Sequence, residues 1–262
     1  MINLVEGKRG LVIGVANERS IAWGIANVLA KHGAELAITY QTESFEKRVR
    51  PLAKSIGSKL VLPADVQDKQ SLTFLFRKIE ETWGKLDFLV HAIAYSDKDE
   101  LIGSFINTSR SNFLDSLDIS CYSLVDLSRR AVPLMKDGGS IVTLTYMGSQ
   151  RVTPNYNVMG VAKAALESTV RYLANDLGGK GITVNAISPG PMKTLAGAAI
   201  GGARTVYRTA EENSPLKENP SQESVGGTAL YLLSEYGKHT TGEVIFVDGG
   251  YHIIGMPQRT NT

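Results

Sequence analysis

The stretch Gly10-Leu11-Val12-Ile13-Gly14-Val15-Ala16-Asn17-Glu18-Arg19-Ser20-Ile21-Ala22-Trp23-Gly24 decides the fold. Leu11-Val12-Ile13 is continuously apolar, as suits a strand covered on both faces. Ser20 then opens an amphipathic run through Trp23, Ile25, Val28 and Leu29 to His32, where Gly33 supplies a left-handed stop. A strand, a glycine turn and a helix start form a dinucleotide cradle when three conditions hold. These are a glycine where backbone nears pyrophosphate, free N–H groups at the helix N-terminus, and a small residue for close helix packing. Gly14, Ser20 with Ile21, and Gly24 meet them in turn. The spacing is not GxGxxG, and Ser20 can also serve simply as a helix cap.

Outward from this unit the rhythm repeats. Short β-branched runs at 10–13, 35–40, 60–62, 86–92, 140–144, 183–187 and 243–247 alternate with amphipathic stretches. Seven such runs are too few for an eight-stranded barrel. The expected fold is therefore α/β: a doubly wound, parallel, seven-stranded Rossmann sheet with helices on both faces, in a single domain over 1–262. Asp68 is placed to cap a helix ending at Trp83 and Gly84, and residues 155–177 carry an apolar stripe ended by Gly178-Gly179. Residues 95–108 and 189–219 break the rhythm. Within the second, residues 191–210 read as a mobile lid, with glycine and alanine at 197–203 and an apolar inner surface from Leu195, Ile200 and Val206.

Composition excludes several classes. The 262 residues carry 28 Lys plus Arg against 26 Asp plus Glu, so no whole-chain charge favours nucleic acid. Cys121 has no second cysteine to pair with, and the four histidines make no metal-ligand spacing; a reducing, cytoplasmic setting without resident metal is expected. No apolar run reaches the length of a membrane span, and no secretory leader is evident. Redox chemistry would then come from a cofactor.

The strand ends hold the candidate polar groups. Gln41 follows the second strand where a ribose-binding acid is usual, and Lys47 and Arg48 lie a turn further on, so these residues leave the choice between NADH and NADPH open. Asp65-Val66 follows the third strand and can bracket adenine or simply make a turn. His91, in an apolar strand, reads as a satisfied core histidine. Tyr156 and Lys163 are seven residues apart, which on a helix places them on one face about 10 Å apart along the axis. A phenol there can hydrogen-bond a developing oxyanion, with an ammonium nearby favouring charge on oxygen. A packed tyrosine beside a surface lysine is the plainer alternative.

Gly14 to Gly24, Asp65-Val66, Tyr156 with Lys163, Asn185-Ala186-Ile187-Ser188-Pro189-Gly190-Pro191 and Val247-Asp248-Gly249-Gly250 together resemble the short-chain dehydrogenase/reductase superfamily. Within it they resemble the bacterial NADH-dependent enoyl-acyl carrier protein reductases, over nearly the whole chain. Ketone and alcohol enzymes of the superfamily use Tyr-x3-Lys, whereas Tyr-x6-Lys with a tyrosine ten residues upstream, here Tyr146, is the enoyl reductase pattern. The resemblance implies hydride transfer from NADH to the β carbon of a trans-2-enoyl thioester, the last reductive step of type II fatty acid elongation. It makes Tyr146, Tyr156 and Lys163 the catalytic group, with Tyr156 stabilising the thioester enolate and Lys163 binding the nicotinamide ribose. Gly14, Ser20, Ile21, Gln41, Asp65, Val66 and Ile93 would contact the dinucleotide, as would Met192, Lys193, Thr194, Leu195 and Ala196. Ser96, Leu101, Met159, Ala196 and Ile200 would join Tyr146 and Tyr156 around the acyl chain; the family usually carries a small apolar residue where Ser96 stands. An acyl carrier protein partner and a homotetramer are implied too.

Two other readings compete. A carbonyl (3-ketoacyl) reductase of the same superfamily would share the cradle but not the tyrosine spacing. A non-catalytic dinucleotide sensor would need neither Tyr156 nor Lys163. Lys193, Arg204 and Arg208 form a sparse basic group that can face an acidic carrier or only solvent. The stretches 113–135 and 155–177 are apolar enough to pair between subunits.

Overall fold

The computed structural model describes residues 3–198 and 201–256; for Ala196 and Ala198 it describes the backbone alone. Its first half alternates β1 (Arg9–Ile13), α1 (Ile21–Lys31), β2 (Glu35–Tyr40), α2 (Glu43–Ser55), β3 (Leu60–Pro63), α3 (Lys69–Trp83) and β4 (Phe88–His91). The second half runs through α4 (Arg110–Leu117), α5 (Ser123–Ala131), β5 (Gly139–Leu144), α6 (Val158–Gly178) and β6 (Ile182–Pro189). It ends with α7 (Leu195–Ala198), α8 (Ala203–Asn213), α9 (Gln222–Leu233) and β7 (Val244–Val247). All seven strands join one parallel sheet in the order β3-β2-β1-β4-β5-β6-β7. The doubly wound expectation holds, strand for strand.

The continuous apolarity of the central strands has the expected cause, because one core lies on each face of the sheet. Leu11, Leu89, Ile141 and Val184 pack against α3, α5 and α6 on one side. Val12, Val90, Val142 and Ile187 pack against α1 and α9 on the other. A third, smaller cluster of Leu101, Tyr156, Val158 and Met159 sits apart from both, with Phe113 and Tyr146 against it.

Order reverses between β1 and β4, so the crevice outside their carboxyl ends is where a ligand enters such a sheet. Gly14 closes that point: its φ is +112°, and a Cβ there would stand 2.1 Å from the Ala92 carbonyl oxygen. Only glycine lets the two strand ends approach so closely.

Two local expectations are corrected. Ser20 precedes α1 with extended backbone but makes no side-chain cap bond. Its hydroxyl turns back instead and accepts from the Ala16 and Asn17 N–H groups at 3.0 and 3.1 Å. Gly24 does not serve helix-to-strand packing; its missing Cβ makes room for Gln222 at the start of α9. Asp68 and Gly84 bound α3 as expected, the aspartate accepting from Gln70 N–H and the glycine lying at φ +67°. No helix among the described residues is long and apolar enough to cross a membrane.

Candidate active site

A cleft of about 1300 Å³ opens at the carboxyl edge of the sheet. Five chain segments build its walls, one of them α8 with Arg204, Val206 and Tyr207. Asn17, Arg19 and Ile21 come from the turn into α1, while Tyr95, Ser96 and Leu101 follow β4. Thr145, Tyr146, Tyr156 and Met159 come from the stretch joining β5 to α6, and Met192, Lys193, Thr194 and Leu195 follow β6. Ten residues expected in the site thus meet in one space: Ile21, Ser96, Leu101, Tyr146, Tyr156, Met159, Met192, Lys193, Thr194 and Leu195.

Tyr156 is not on the helix face that its spacing from Lys163 implied. It precedes α6 by two residues, inside a turn where Asn155 and Asn157 take φ of +59° and +40°. Thr153 C=O accepts from Tyr156 N–H at 3.2 Å, and Tyr156 C=O accepts from Met159 N–H at 2.9 Å. The turn swings the ring into the apolar cluster beside the cleft, where it meets Tyr146 edge to face with centroids 5.0 Å apart. Gly148 permits this, since a Cβ there would lie 2.4 Å from the Tyr156 ring. Burial, reinforced by Tyr146 and Glu167, raises the Tyr156 pKa, so the phenol stays protonated as a donor. Burial also pushes Tyr146 up to about 12.

Lys163 is buried one turn into α6 and donates to the Leu144 carbonyl at 2.8 Å. It does not line the cleft but lies under the end of β5. Burial lowers its pKa to about 8 against the opposing pull of Cys121 and Glu167. His91 is the core histidine anticipated: fully buried, with Thr143 Oγ1 on Nδ1 at 2.7 Å and Ser123 Oγ on Nε2 at 2.8 Å. Ser123 gives its one proton to the Ile119 carbonyl, so Nε2 carries the hydrogen and Nδ1 accepts. Burial first, and Lys163 second, lower His91 to about 3, which leaves it neutral.

The remaining expected residues lie outside the cleft lining. Gly14 and Ser20 shape the turn between β1 and α1. The arrangement fits an anion: Ser20 leaves the first N–H groups of α1 without a side-chain acceptor. Gln222 donates to the Glu18 and Ser20 carbonyls at 3.0 and 2.9 Å, fixing that turn from α9. Gln41 is exposed after β2. Asp65 makes a turn, accepting from Gln67 N–H at 3.0 Å, while Val66 and Ile93 pack against the core. Ala196 is described by its backbone only, and Ile200 lies outside the described residues.

Several contributors were not singled out from the sequence. Asn112 of α4 accepts from Ser96 Oγ at 3.1 Å and from Asp97 N–H at 2.8 Å, fixing the loop after β4. The Ser96 hydroxyl is thereby tied to a helix. Asn157 donates to the Leu101 and Gly103 carbonyls, tying the tyrosine turn to the same loop. Glu167 is buried under the tyrosine segment; its position four residues after Lys163, on one helix face, was the available signal. Lys193 stands 4.7 Å from the Tyr207 ring centroid and Arg208 pairs with Glu212 at 3.3 Å.

A family model described as enoyl-(acyl carrier protein) reductase matches residues 14–252. The chain belongs to the enoyl-(acyl carrier protein) reductase family. Enoyl-acyl-carrier-protein reductase (NADH) 2 of Rhizobium meliloti (strain 1021) is 56% identical over 257 residues, 98% of this chain and 96% of that protein. The crystal structure of FabI from Candidatus Liberibacter asiaticus matches with a TM-score of 0.97 at 53% identity, covering 98% of this chain and 100% of that one. An enoyl-acyl-carrier-protein reductase from Anaplasma phagocytophilum, solved in complex with NAD, matches at TM-score 0.95 and 53% identity, over 98% of each chain. The seven-stranded sheet of this reductase family is thus the sheet described above, and the cleft opens at its carboxyl edge.

Proposed function

We propose that the cleft reduces the carbon–carbon double bond of a trans-2-enoyl thioester carried on acyl carrier protein, with NADH as reductant. The observation that carries this reading is the buried Tyr156, held against Tyr146 in an apolar cluster on the cleft wall, with Lys163 buried beneath the adjoining strand end. NADH, when bound, supplies hydride to the β carbon. A proton taken up at the α carbon completes the reduction, and this chain's residues bind, orient and stabilise charge. Tyr156 donates to the thioester oxygen as negative charge gathers there, and its burial makes that hydrogen bond stronger than it would be in water. Lys163 would hold the nicotinamide ribose by turning its ammonium from the Leu144 carbonyl toward the cleft. The turn at Gly14 to Ile21 takes the pyrophosphate, Gln41 the adenosine ribose, and Asp65 and Val66 the adenine. Ile93 and residues 192–196 enclose the nicotinamide end. Ser96, Leu101 and Met159 line the acyl path, with the described part of 191–210 closing over it.

The chain is further proposed to work in the cytoplasm as a homotetramer. Tyr122, Val161 and Tyr172, exposed on the outer faces of the two helical stretches at 113–135 and 155–177, support pairing there. Light scattering at working concentration checks this, a monomer contradicting it. For the reaction, NADH oxidation is followed with crotonyl and acetoacetyl thioesters in parallel. Turnover confined to the crotonyl substrate supports an enoyl reductase; turnover on acetoacetyl alone would show the carbonyl chemistry instead, and turnover on neither a dinucleotide sensor.

A further inference from the structure

Glu167 is a buried carboxylate with three donors converging on it from one short segment. Its Oε1 accepts from Thr145 Oγ1 at 2.7 Å and from Ser149 Oγ, and its Oε2 accepts from Gln150 Nε2 at 3.3 Å. The bonded residues straddle Tyr146, Met147 and Gly148. Those in between set the cleft wall: Tyr146 lies edge to face on Tyr156, and Gly148 is the floor against which the Tyr156 ring rests. One turn earlier on α6, Lys163 holds the Leu144 carbonyl at the start of the same segment. Helix α6 therefore grips the stretch 144–150 at both ends, Lys163 and Glu167 holding Leu144 and Thr145 at one, and Glu167 holding Ser149 and Gln150 at the other.

A carboxylate suits this place because it offers acceptors only, and three donors point at it. Buried without them, it would be strongly disfavoured; buried with them, it makes the segment rigid. The groups facing Lys163 are few: His91 from β4, neutral; Cys121 from the π-helical turn Asp118–Tyr122; the Leu144 carbonyl; and Glu167 on its own helix.

We propose that Glu167 is a positioning residue for the reduction: through Thr145, Ser149 and Gln150 it sets Tyr146 and Gly148 against Tyr156, one helical turn from the buried Lys163. The inference rests on the roles given above to Tyr156 and Lys163. Glu167 itself does not line the cleft; it reaches the lining through its bond with Thr145. Its effect on Lys163 follows from sign, as a buried negative group favours the ammonium while burial disfavours it.

The test uses the full-length E167A and E167Q proteins beside wild type. Circular dichroism reports folding, crotonyl thioester kinetics give kcat and KM, and fluorescence titration gives NADH affinity from pH 6 to 10. Folded E167A is expected to lose about tenfold or more in kcat with little change in KM, as a misaligned donor would cause. E167Q keeps a carbonyl acceptor for the two hydroxyls and recovers part of that loss. Its affinity for NADH should fall away at a pH lower than wild type's by about half a unit or more, because the negative charge is gone. Wild-type kcat in folded E167A, or an unmoved alkaline midpoint in E167Q, would overturn the proposal. If E167A fails to fold, the E167Q midpoint decides alone. A wild type whose NADH affinity is flat to pH 10 contradicts the role of Lys163 instead, and the kcat of folded E167A, or of E167Q, then decides for Glu167.

Discussion

At the scale of single residues, the account depends on a phenol kept neutral and an ammonium kept charged where water is scarce. Replacing Tyr156 with phenylalanine removes one donor to the growing oxyanion and should lower kcat by roughly 100- to 1000-fold, the scale set by loss of a preorganised donor. NADH affinity, read by fluorescence, should stay within about threefold, because the ring and its packing remain. Lys163 carries its own pH signature. Its pKa is lowered to about 8, so NADH affinity should be flat below that value and decline above it as the ammonium is lost. A decline on the acid side would contradict the assignment. These two residues were legible in the sequence by spacing and by resemblance, and so was the buried, neutral His91. Glu167 and Asn112 were not, because a polar residue on a helix reveals its role only when the fold shows which backbone it holds.

Elements show where spacing misleads. The distance of seven residues between Tyr156 and Lys163 fits two helical turns, yet Asn155 and Asn157 adopt left-handed backbone and hold Tyr156 ahead of α6. Asparagine is among the residues that tolerate such φ, so the break carried a signal, but a weak one beside the long apolar stripe. Ser20 was legible as a helix start but not as the acceptor that folds the preceding turn back on itself. Gly14 offers the sharpest test of that turn. Gly14→Ala combines positive φ with a Cβ 2.1 Å from the Ala92 oxygen, and should cost about 2 kcal/mol or more of stability in urea unfolding, with weakened NADH binding. Residues 191–210 belong to the same scale. Protease cutting within them is expected to slow when NADH and a substrate analogue are added together; equal cutting rates with and without ligand would contradict a closing lid.

For the whole molecule, the sheet was the most legible feature, since seven buried strands leave seven apolar runs and the parallel order follows from their helical crossovers. What was hidden is the energetic tension between fold and site. Lys163 titrates near 8 in the folded chain and near 10.5 when free, so the unfolded chain holds more protons between those values and stability rises with pH across that window. Below it the buried ammonium is destabilising by about 3 kcal/mol at most, reduced by its bond to the Leu144 carbonyl. Lys163→Met should therefore raise the Tm at pH 7 while weakening NADH binding, and the Tm gain should shrink toward pH 10. A lower Tm at pH 7 would show that the lysine holds the fold rather than the ligand.

The central claim is that hydride reaches a carbon–carbon double bond and not a carbonyl. NADH deuterated at the transferring position of C4, incubated with crotonyl thioester and the protein, tests it in one product analysis. The account predicts butyryl thioester with deuterium at the β carbon; deuterium on a carbinol carbon, or none in the product, would contradict it.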